Sequence, residues 1–199
     1  MANTKTELRH HYRQTRKALS PTEQSQHKKS LTQLLLSENI FQPSQRVAFY
    51  WPSDGEISTL SLLSHCLAQR IQCYLPCLDT EQKGLQFGLC DNKTTLFPNR
   101  YGIPEPVTEQ FVPLDQLDCM LIPLVAFDSA GNRLGMGGGF YDYTLNQATE
   151  KKPLLIGLAH ACQSATTLPI EPWDFPLDAI ATEKRIVWFH KRLSKRQAS

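Results

Sequence analysis

At 199 residues and 22.6 kDa the chain has the length of one domain or a tight pair of lobes. With 41% hydrophobic and 20% charged residues it carries enough apolar material for a packed core, which excludes wholesale disorder. Lys+Arg of 21 against Asp+Glu of 19 leaves a net charge of +2, too balanced for a nucleic-acid coat or a polybasic membrane binder, and no apolar run approaches the ~18 residues of a membrane span.

The opening Met1-Ala2-Asn3-Thr4-Lys5 leads into charged residues rather than an apolar signal core, so a cytoplasmic location is expected. Cys66, Cys73, Cys77, Cys90, Cys119 and Cys162 are scattered without a C-x-x-C pair and read as free thiols. His65-Cys66 with Cys73 and Cys77 fits no common zinc spacing and reads as ordinary buried thiols.

Residues 5–19 carry few helix breakers and predict a first helix. Ser20-Pro21-Thr22-Glu23 starts a second, with Ser20 as N-cap, Pro21 at the first helical position and Glu23 completing a capping box. It is expected to reach residue 38, with Leu31, Leu34 and Leu35 on its inner face. Val47-Ala48-Phe49-Tyr50 is a short β-rich run before Pro52 and Gly55, hence a buried strand. Ser58 or Thr59 caps a helix to about residue 69, and strands follow at 71–75 and 85–89. Residues 91–118 hold Pro98, Pro104, Pro106 and Pro113 and read as a long surface connection. Residues 119–122 and 125–127 predict strands, 140–147 a helix, and 154–158 and 186–189 further strands. This alternation argues an α/β fold with a mainly parallel sheet in a single domain over 1–190, followed by a basic tail, 191–199, that frays.

The clearest chemical signal is the run from Asn132 to Asp142, in which four of the chain's ten glycines fall within five positions. Such a stretch exposes successive backbone N–H groups and feeds a predicted helix, an arrangement suited to phosphate. It is neither a P-loop, which needs a Lys after its glycines, nor a dinucleotide fingerprint, since Phe140 stands where the third glycine belongs. Lys5, Arg9, Arg13 and Arg16 recur at helical spacing, which places four cations on one face. A nucleoside triphosphate carries about four negative charges, so a second basic element beside the glycine run is expected. Trp51 to Thr59 follows a strand, where α/β proteins put binding loops; Glu56 is a candidate acceptor for substrate N–H groups, and Asp54 reads as support for the turn. Leu168 to Asp178 is stiffened by proline and carries Glu171, Asp174 and Asp178, residue types that hold Mg²⁺ together with phosphates. The six histidines show no zinc spacing, and His160 reads as a core or rim residue.

Arg133 to Asp142 resembles the R-L-G-x-G-G-G-Y-Y-D signature of the 5-formyltetrahydrofolate cyclo-ligase family. Ordered matches extend along the chain: Lys5 to Arg9, Ser20-Pro21, Tyr50-Trp51-Pro52 through Glu56-Ile57, Leu121 to Asp128, and Trp173-Asp174 through Asp178 and Thr182-Glu183. The resemblance implies a three-layer α/β/α fold, similar to the sugar-phosphate isomerase architecture. It also implies ATP- and Mg²⁺-dependent conversion of 5-formyltetrahydrofolate to 5,10-methenyltetrahydrofolate through a phosphorylated formyl group attacked by N10. Carried over by residue, Lys5, Arg9 and the run Arg133, Leu134, Gly135, Met136, Gly137, Gly138, Gly139, Phe140 and Tyr141 bind ATP, with Arg133 and Tyr141 catalytic. Glu56, Trp51, Phe140, Tyr141 and Trp173 bind the folate, and Asp142 and Asp178 the Mg²⁺. Two positions depart from the pattern: Phe140 replaces a tyrosine, and Met136 stands where some members carry a basic residue.

The implied partners are folate and ATP alone, with neither nucleic acid nor membrane, and a monomer is expected. An ATP-independent enzyme acting on a phosphorylated sugar, with Glu56 as general base, is the first alternative. A nucleic-acid binder using the N-terminal basic face and residues 191–196 is the second, against which the net charge argues.

Overall fold

The computed structural model describes residues 4–79, 81, 83–147 and 151–189; the expected basic tail lies outside them. The chain opens with two helices, α1 (Lys5–Lys17) and α2 (Pro21–Ser37), each started by a capping box. At α2 the sequence marks it plainly: Ser20 Oγ accepts the Glu23 N–H at 3.3 Å, and the Glu23 carboxylate accepts the Ser20 N–H at 2.8 Å. Thr4 and Glu7 repeat the device at α1.

There follow β1 (Arg46–Ala48), α3 (Leu60–Ala68), β2 (Gln72–Leu78), β3 (Leu85–Cys90), β4 (Leu96–Pro98), β5 (Pro104–Pro106), β6 (Phe111–Val112) and β7 (Cys119–Pro123). The chain then forms β8 (Ala126–Phe127), β9 (Arg133–Leu134), α4 (Phe140–Asn146), β10 (Leu154–Leu158), β11 (Ala179–Ala181) and β12 (Ile186–Trp188). Eight strands make the main sheet, in the order β12-β11-β10-β7-β1-β2-β3-β6. The five inner strands from β11 to β2 run parallel, and β12, β3 and β6 add antiparallel edges. From β1 the chain moves through α3 to β2 on one side; from β7 it moves to β10 on the other. The sheet therefore changes its direction of growth between β1 and β7, and a crevice opens beyond the carboxyl ends of those strands.

Side chains alternate across the sheet, as the period of two requires. Val47, Cys73, Leu75, Cys119, Leu121, Ile156 and Leu158 face one side, where α2 (Leu31, Leu35) and α3 (Leu62, Leu63, Cys66) cover them. Ala48, Tyr74, Met120, Ile122, Leu155 and Ile180 face the other. That second layer is thinner: the short α4 contributes Leu145, and loop residues Leu117, Leu124 and Leu177 fill the rest. A small third cluster seats Leu8 of α1 on Ala126, Leu134, Ala165 and Leu168. Five of the cysteines are buried free thiols, and Cys162 is an exposed one.

Three expectations change. Residues 91–118 are not a plain connection: β4 and β5 form a hairpin, and β6 joins the sheet edge. Pro98, Pro104 and Pro106 fit because they sit at the strand ends of the hairpin, where Pro98 faces Pro104, and Pro113 lies beyond β6 at the start of a 3-10 turn. The strand expected at 125–127 stays out of the main sheet and pairs with β9, with one further bridge from Phe127 to Ser164, because Asp128 Oδ1 accepts the N–H groups of Ala130 and Asn132 and turns the chain back. Leu34 lies on the flank of α2 and is only half-buried, unlike Leu31 and Leu35.

Candidate active site

α1 crosses the open crevice. Arg16 is fully buried (0% exposed), and its guanidinium spans the gap between the two strand ends. Nε donates to the Asp54 carbonyl at 2.8 Å, after β1, and Nη1 to the Leu124 carbonyl at 3.0 Å, after β7. Nη2 donates to Asp54 Oδ2 at 2.8 Å. Arg13 grips the same carboxylate with two bonds, at 2.8 and 3.0 Å, and Lys17 adds a third cation. Those bonds hold the Asp54 carboxyl well below the usual carboxylate range, the Arg13 bond contributing most. The expected turn-supporting Asp54 is thus an anchor for three cations. The expected four-cation face is split: Arg13 and Arg16 grip Asp54, Arg9 touches the glycine run, and Lys5 reaches the acidic segment at Asp174.

Glu56 sits just beyond this lock, its side chain 9% exposed. One oxygen accepts the Ser53 N–H at 3.0 Å, and the other lies 3.9 Å from Arg16 Nη2. Burial pushes its carboxyl up to about 7, against the pull of Arg16. Tyr50 and Tyr141 lie close enough to interact electrostatically with Glu56, and burial raises both phenols. The Tyr50 hydroxyl donates to the Ile57 carbonyl at 2.6 Å. The Tyr141 hydroxyl has no hydrogen-bond partner among the described residues and remains a donor for a ligand.

The glycine run lies along α1. Arg9 Nε donates to the Gly135 carbonyl at 2.9 Å. Gly137 (φ 99°) and Gly139 (φ 70°) adopt left-handed conformations that other residues avoid, so the loop needs glycine there. Met136 is 48% exposed, with its sulfur 3.7 Å from Arg16 Nη2. The Phe140 ring covers Gly138 and meets Tyr101 edge-on at 6.2 Å. Leu134 is a core residue beneath the loop.

Arg133 is a strut rather than a free cation. Its side chain is 4% exposed and donates to Asp142 Oδ1 and to the Phe175 carbonyl. Lys5 pairs with Asp174 at 2.7 Å, tying α1 to the C-terminal acidic segment. Trp51 is half-buried against the core, and Trp173 is 61% exposed on the rim.

The two carboxylates expected to hold Mg²⁺ are engaged separately. Asp142 Oδ1 receives Arg133 and, at 3.4 Å, the Phe175 N–H; its Oδ2 is left for a cation. Asp178 is buried, and its Oδ2 accepts the Leu155 N–H at 2.9 Å. Asp142 therefore fits a metal through one oxygen, whereas Asp178 belongs to the sheet interior.

Lys83, which gave no signal in the sequence, has its ammonium 3.4 Å from the position a Cβ on Gly139 would take. It is an isolated basic residue in the β2–β3 turn, and only the fold carries it to the loop.

A mostly parallel sheet that gathers a glycine loop, basic side chains and a buried carboxyl beyond its switch point is the architecture of an α/β enzyme. Comparison with known proteins narrows that class. Residues 1–183 match the model of the 5-formyltetrahydrofolate cyclo-ligase family, and the chain belongs to that family. It is 40% identical over 174 residues to 5-formyltetrahydrofolate cyclo-ligase of Haemophilus influenzae, covering 86% of this chain and 93% of that one. The Escherichia coli K12 protein of the same name is 37% identical over 177 residues, covering 87% and 97%. The solution structure of Aquifex aeolicus 5,10-methenyltetrahydrofolate synthetase superposes with a TM-score of 0.82 at 30% identity, covering 96% of this chain and 98% of that one. The Mycoplasma pneumoniae synthetase gives 0.72 at 28%, covering 91% and 99%. The sugar-phosphate alternative finds no support in these relatives. Among the described residues no helix is long and apolar enough to cross a membrane.

Proposed function

We propose that this protein converts 5-formyltetrahydrofolate to 5,10-methenyltetrahydrofolate, consuming ATP and releasing ADP and phosphate. The observation that carries this reading is the family match over residues 1–183. The formyl oxygen attacks the γ-phosphorus and ADP leaves. N10 then attacks the activated carbon, gives up its proton, and phosphate departs with the formyl oxygen. A formamide oxygen is a poor leaving group and its phosphate ester a good one, so the protein has chiefly to position the reactants and stabilise charge.

The residues divide accordingly. Backbone N–H groups of Gly135 to Gly139 wrap the ATP phosphates, with Lys5, Arg9 and Lys83 as the neighbouring cations. Lys5 exchanges its Asp174 partner for phosphate. Met136 brings no charge, and Phe140 offers an apolar ring to a flat ligand. Arg133 positions the loop through Asp142. Glu56 binds the N–H edge of the pterin and, with its raised pKa, is suited to exchange a proton near neutrality. Tyr141 stays neutral and donates its hydroxyl, while Trp51 and Trp173 shape the folate pocket. Asp142 Oδ2 would hold a Mg²⁺ arriving with the nucleotide, and the ion would supply charge neutralisation at the phosphates. The protein is proposed to act as a cytoplasmic monomer.

The test is near-ultraviolet absorbance of the purified protein with 5-formyltetrahydrofolate, with and without Mg-ATP. The methenyl product is a conjugated cation and absorbs at longer wavelength than the substrate. Growth of that band only with Mg-ATP is the expected result; no band, with both ligands bound, overturns the reading.

A further inference from the structure

Behind the catalytic crevice lies a second group of titratable side chains that the folate reaction does not use. His27 comes from α2, His160 from the loop immediately after β10, and Glu183 from the turn after β11. No two of them are close in sequence, and the fold alone assembles them.

Their geometry is that of a ligand set. One donor atom from each lies within 4.8 Å of the others. The two Nδ1 atoms of His27 and His160 are 2.9 Å apart, which is also a hydrogen-bond distance, and the other ring nitrogen of His27, Nε2, is 3.9 Å from a Glu183 oxygen. Two nitrogens each about 2.0–2.1 Å from one Zn²⁺ are separated by roughly 2.9–3.4 Å at bond angles of about 90–110°. The observed separation falls at that lower limit.

As a purely organic cluster the arrangement leaves polar capacity unused. Two neutral imidazoles facing Nδ1 to Nδ1 share one proton, so one ring only accepts. His160 is completely buried, and its Nε2 has no hydrogen-bond partner among the described residues. Such an orphan is uncommon in a packed interior, and it is the ring nitrogen opposite the Nδ1 that faces His27. Glu183 is already oriented, since one of its oxygens accepts the Ala161 N–H at 2.9 Å. The His160 backbone is fixed as well, its N–H donating to the Gln163 side-chain oxygen at 2.8 Å. An oriented carboxylate such as Glu183 is what a metal site needs around it.

We propose that His27, His160 and Glu183 bind a divalent transition-metal cation, for which Zn²⁺ is the best match to two imidazoles and one carboxylate. Three protein ligands leave a fourth position for water. The ion fastens α2 to the loops that follow β10 and β11, so its effect is on the rigidity of the crevice wall rather than on the folate chemistry. This inference does not depend on the proposed reaction.

The test uses the full chain stripped with a chelator and then titrated with Zn²⁺ and, separately, with Co²⁺ as a spectroscopic probe. One equivalent of metal, a rise in melting temperature reversed by chelator, and Co²⁺ d–d bands without a thiolate charge-transfer band are expected. His27→Ala and the more conservative His27→Gln both lose the site, Glu183→Gln weakens it, and Cys162→Ser leaves it intact. No retained metal in the parent, equal binding in both His27 variants, or a thiolate band that vanishes in Cys162→Ser overturns the assignment.

Discussion

Glu56 and Arg16 face each other at 3.9 Å, yet the guanidinium is held by other oxygens: the carbonyls of Asp54 and Leu124 and the Asp54 carboxylate. Arg16 therefore lowers the Glu56 pKa without neutralising it, and burial prevails. The two carboxyls are pushed apart by their surroundings: the direct bonds of Arg13, Lys17 and Arg16 leave Asp54 an anion, whereas burial leaves Glu56 a group that titrates near neutrality.

Glu56→Gln follows directly. The amide keeps the shape but neither carries charge nor accepts a proton, so folate turnover is expected to fall by about 10²–10⁴-fold. ATP binding is expected to persist, because no nucleotide group depends on Glu56. Turnover of the variant at the parent rate would remove Glu56 from the reaction.

The same carboxyl predicts a pH dependence of stability. Its folded-state pKa of about 7 lies above the ordinary 4.5. Between those values the folded chain keeps a proton that the unfolded chain has released, so this group's contribution is most favourable below pH 4.5 and declines as pH rises through 7. The loss is on the order of a few kcal/mol at most. Glu56→Gln removes it, so the variant is expected to be more stable than the parent at pH 8 and to show a smaller difference at pH 5. Denaturant melts at the two pH values check this; identical differences at both would place the Glu56 pKa near its ordinary value.

Asp54→Asn removes the carboxylate bonded directly to buried Arg16, leaving only Glu56 at 3.9 Å. Breaking such a pair typically costs about 3–5 kcal/mol, more than exposed Arg13 and Lys17 would indicate. The variant is expected to melt well below the parent and, because the Asp54 backbone carbonyl also holds Arg16, to disturb the Glu56 loop. A melting temperature within a degree or two of the parent would show that Arg16 has no need of this partner.

How much of this was legible in the sequence depends on distance along the chain. The α2 cap was plain because Ser20 and Glu23 are three residues apart. The glycine run was plain because its purpose is local. The lock on Asp54 was not: the repeat of Arg9, Arg13 and Arg16 is the same whether the face meets solvent or a strand end. Only the topology puts Arg16 between β1 and β7. The partners of Arg133 were equally hidden: its sequence neighbours suggest a phosphate cation, and only the fold shows that it also bonds Asp142 and the Phe175 carbonyl. Lys83 and the His27–His160 pair had no local pattern at all.

Arg9→Ala and Lys83→Ala test the cations beside the loop. Arg9 touches the Gly135 carbonyl, and Lys83 approaches Gly139 from the opposite strand pair. Each charge-assisted phosphate contact is worth about 1.5–3 kcal/mol, or roughly 10- to 100-fold in ATP affinity. A raised KM for ATP with little change in the KM for folate is expected of both, measured by steady-state kinetics at fixed Mg²⁺. Unchanged ATP dependence would exclude the altered side chain from the nucleotide site.

Asp142→Asn and Asp178→Asn test which of the two carboxylates holds Mg²⁺. Asp142 has one oxygen on Arg133 and the other available, whereas Asp178 is buried and bonded to the Leu155 backbone. Asp142→Asn is therefore expected to do two things: loosen the Arg133 strut, lowering stability by about 1–3 kcal/mol, and raise the Mg²⁺ concentration needed for half-maximal turnover. Asp178→Asn is expected to lower stability alone. A Mg²⁺ titration of turnover beside a denaturant melt distinguishes the two, because loss of a strut appears in the melt and loss of a ligand in the titration. If Asp178→Asn shifts the Mg²⁺ requirement and Asp142→Asn does not, the assignment reverses: the buried carboxylate would then have to leave the Leu155 amide when Mg-ATP binds, and that movement would register as altered hydrogen exchange at the start of β10.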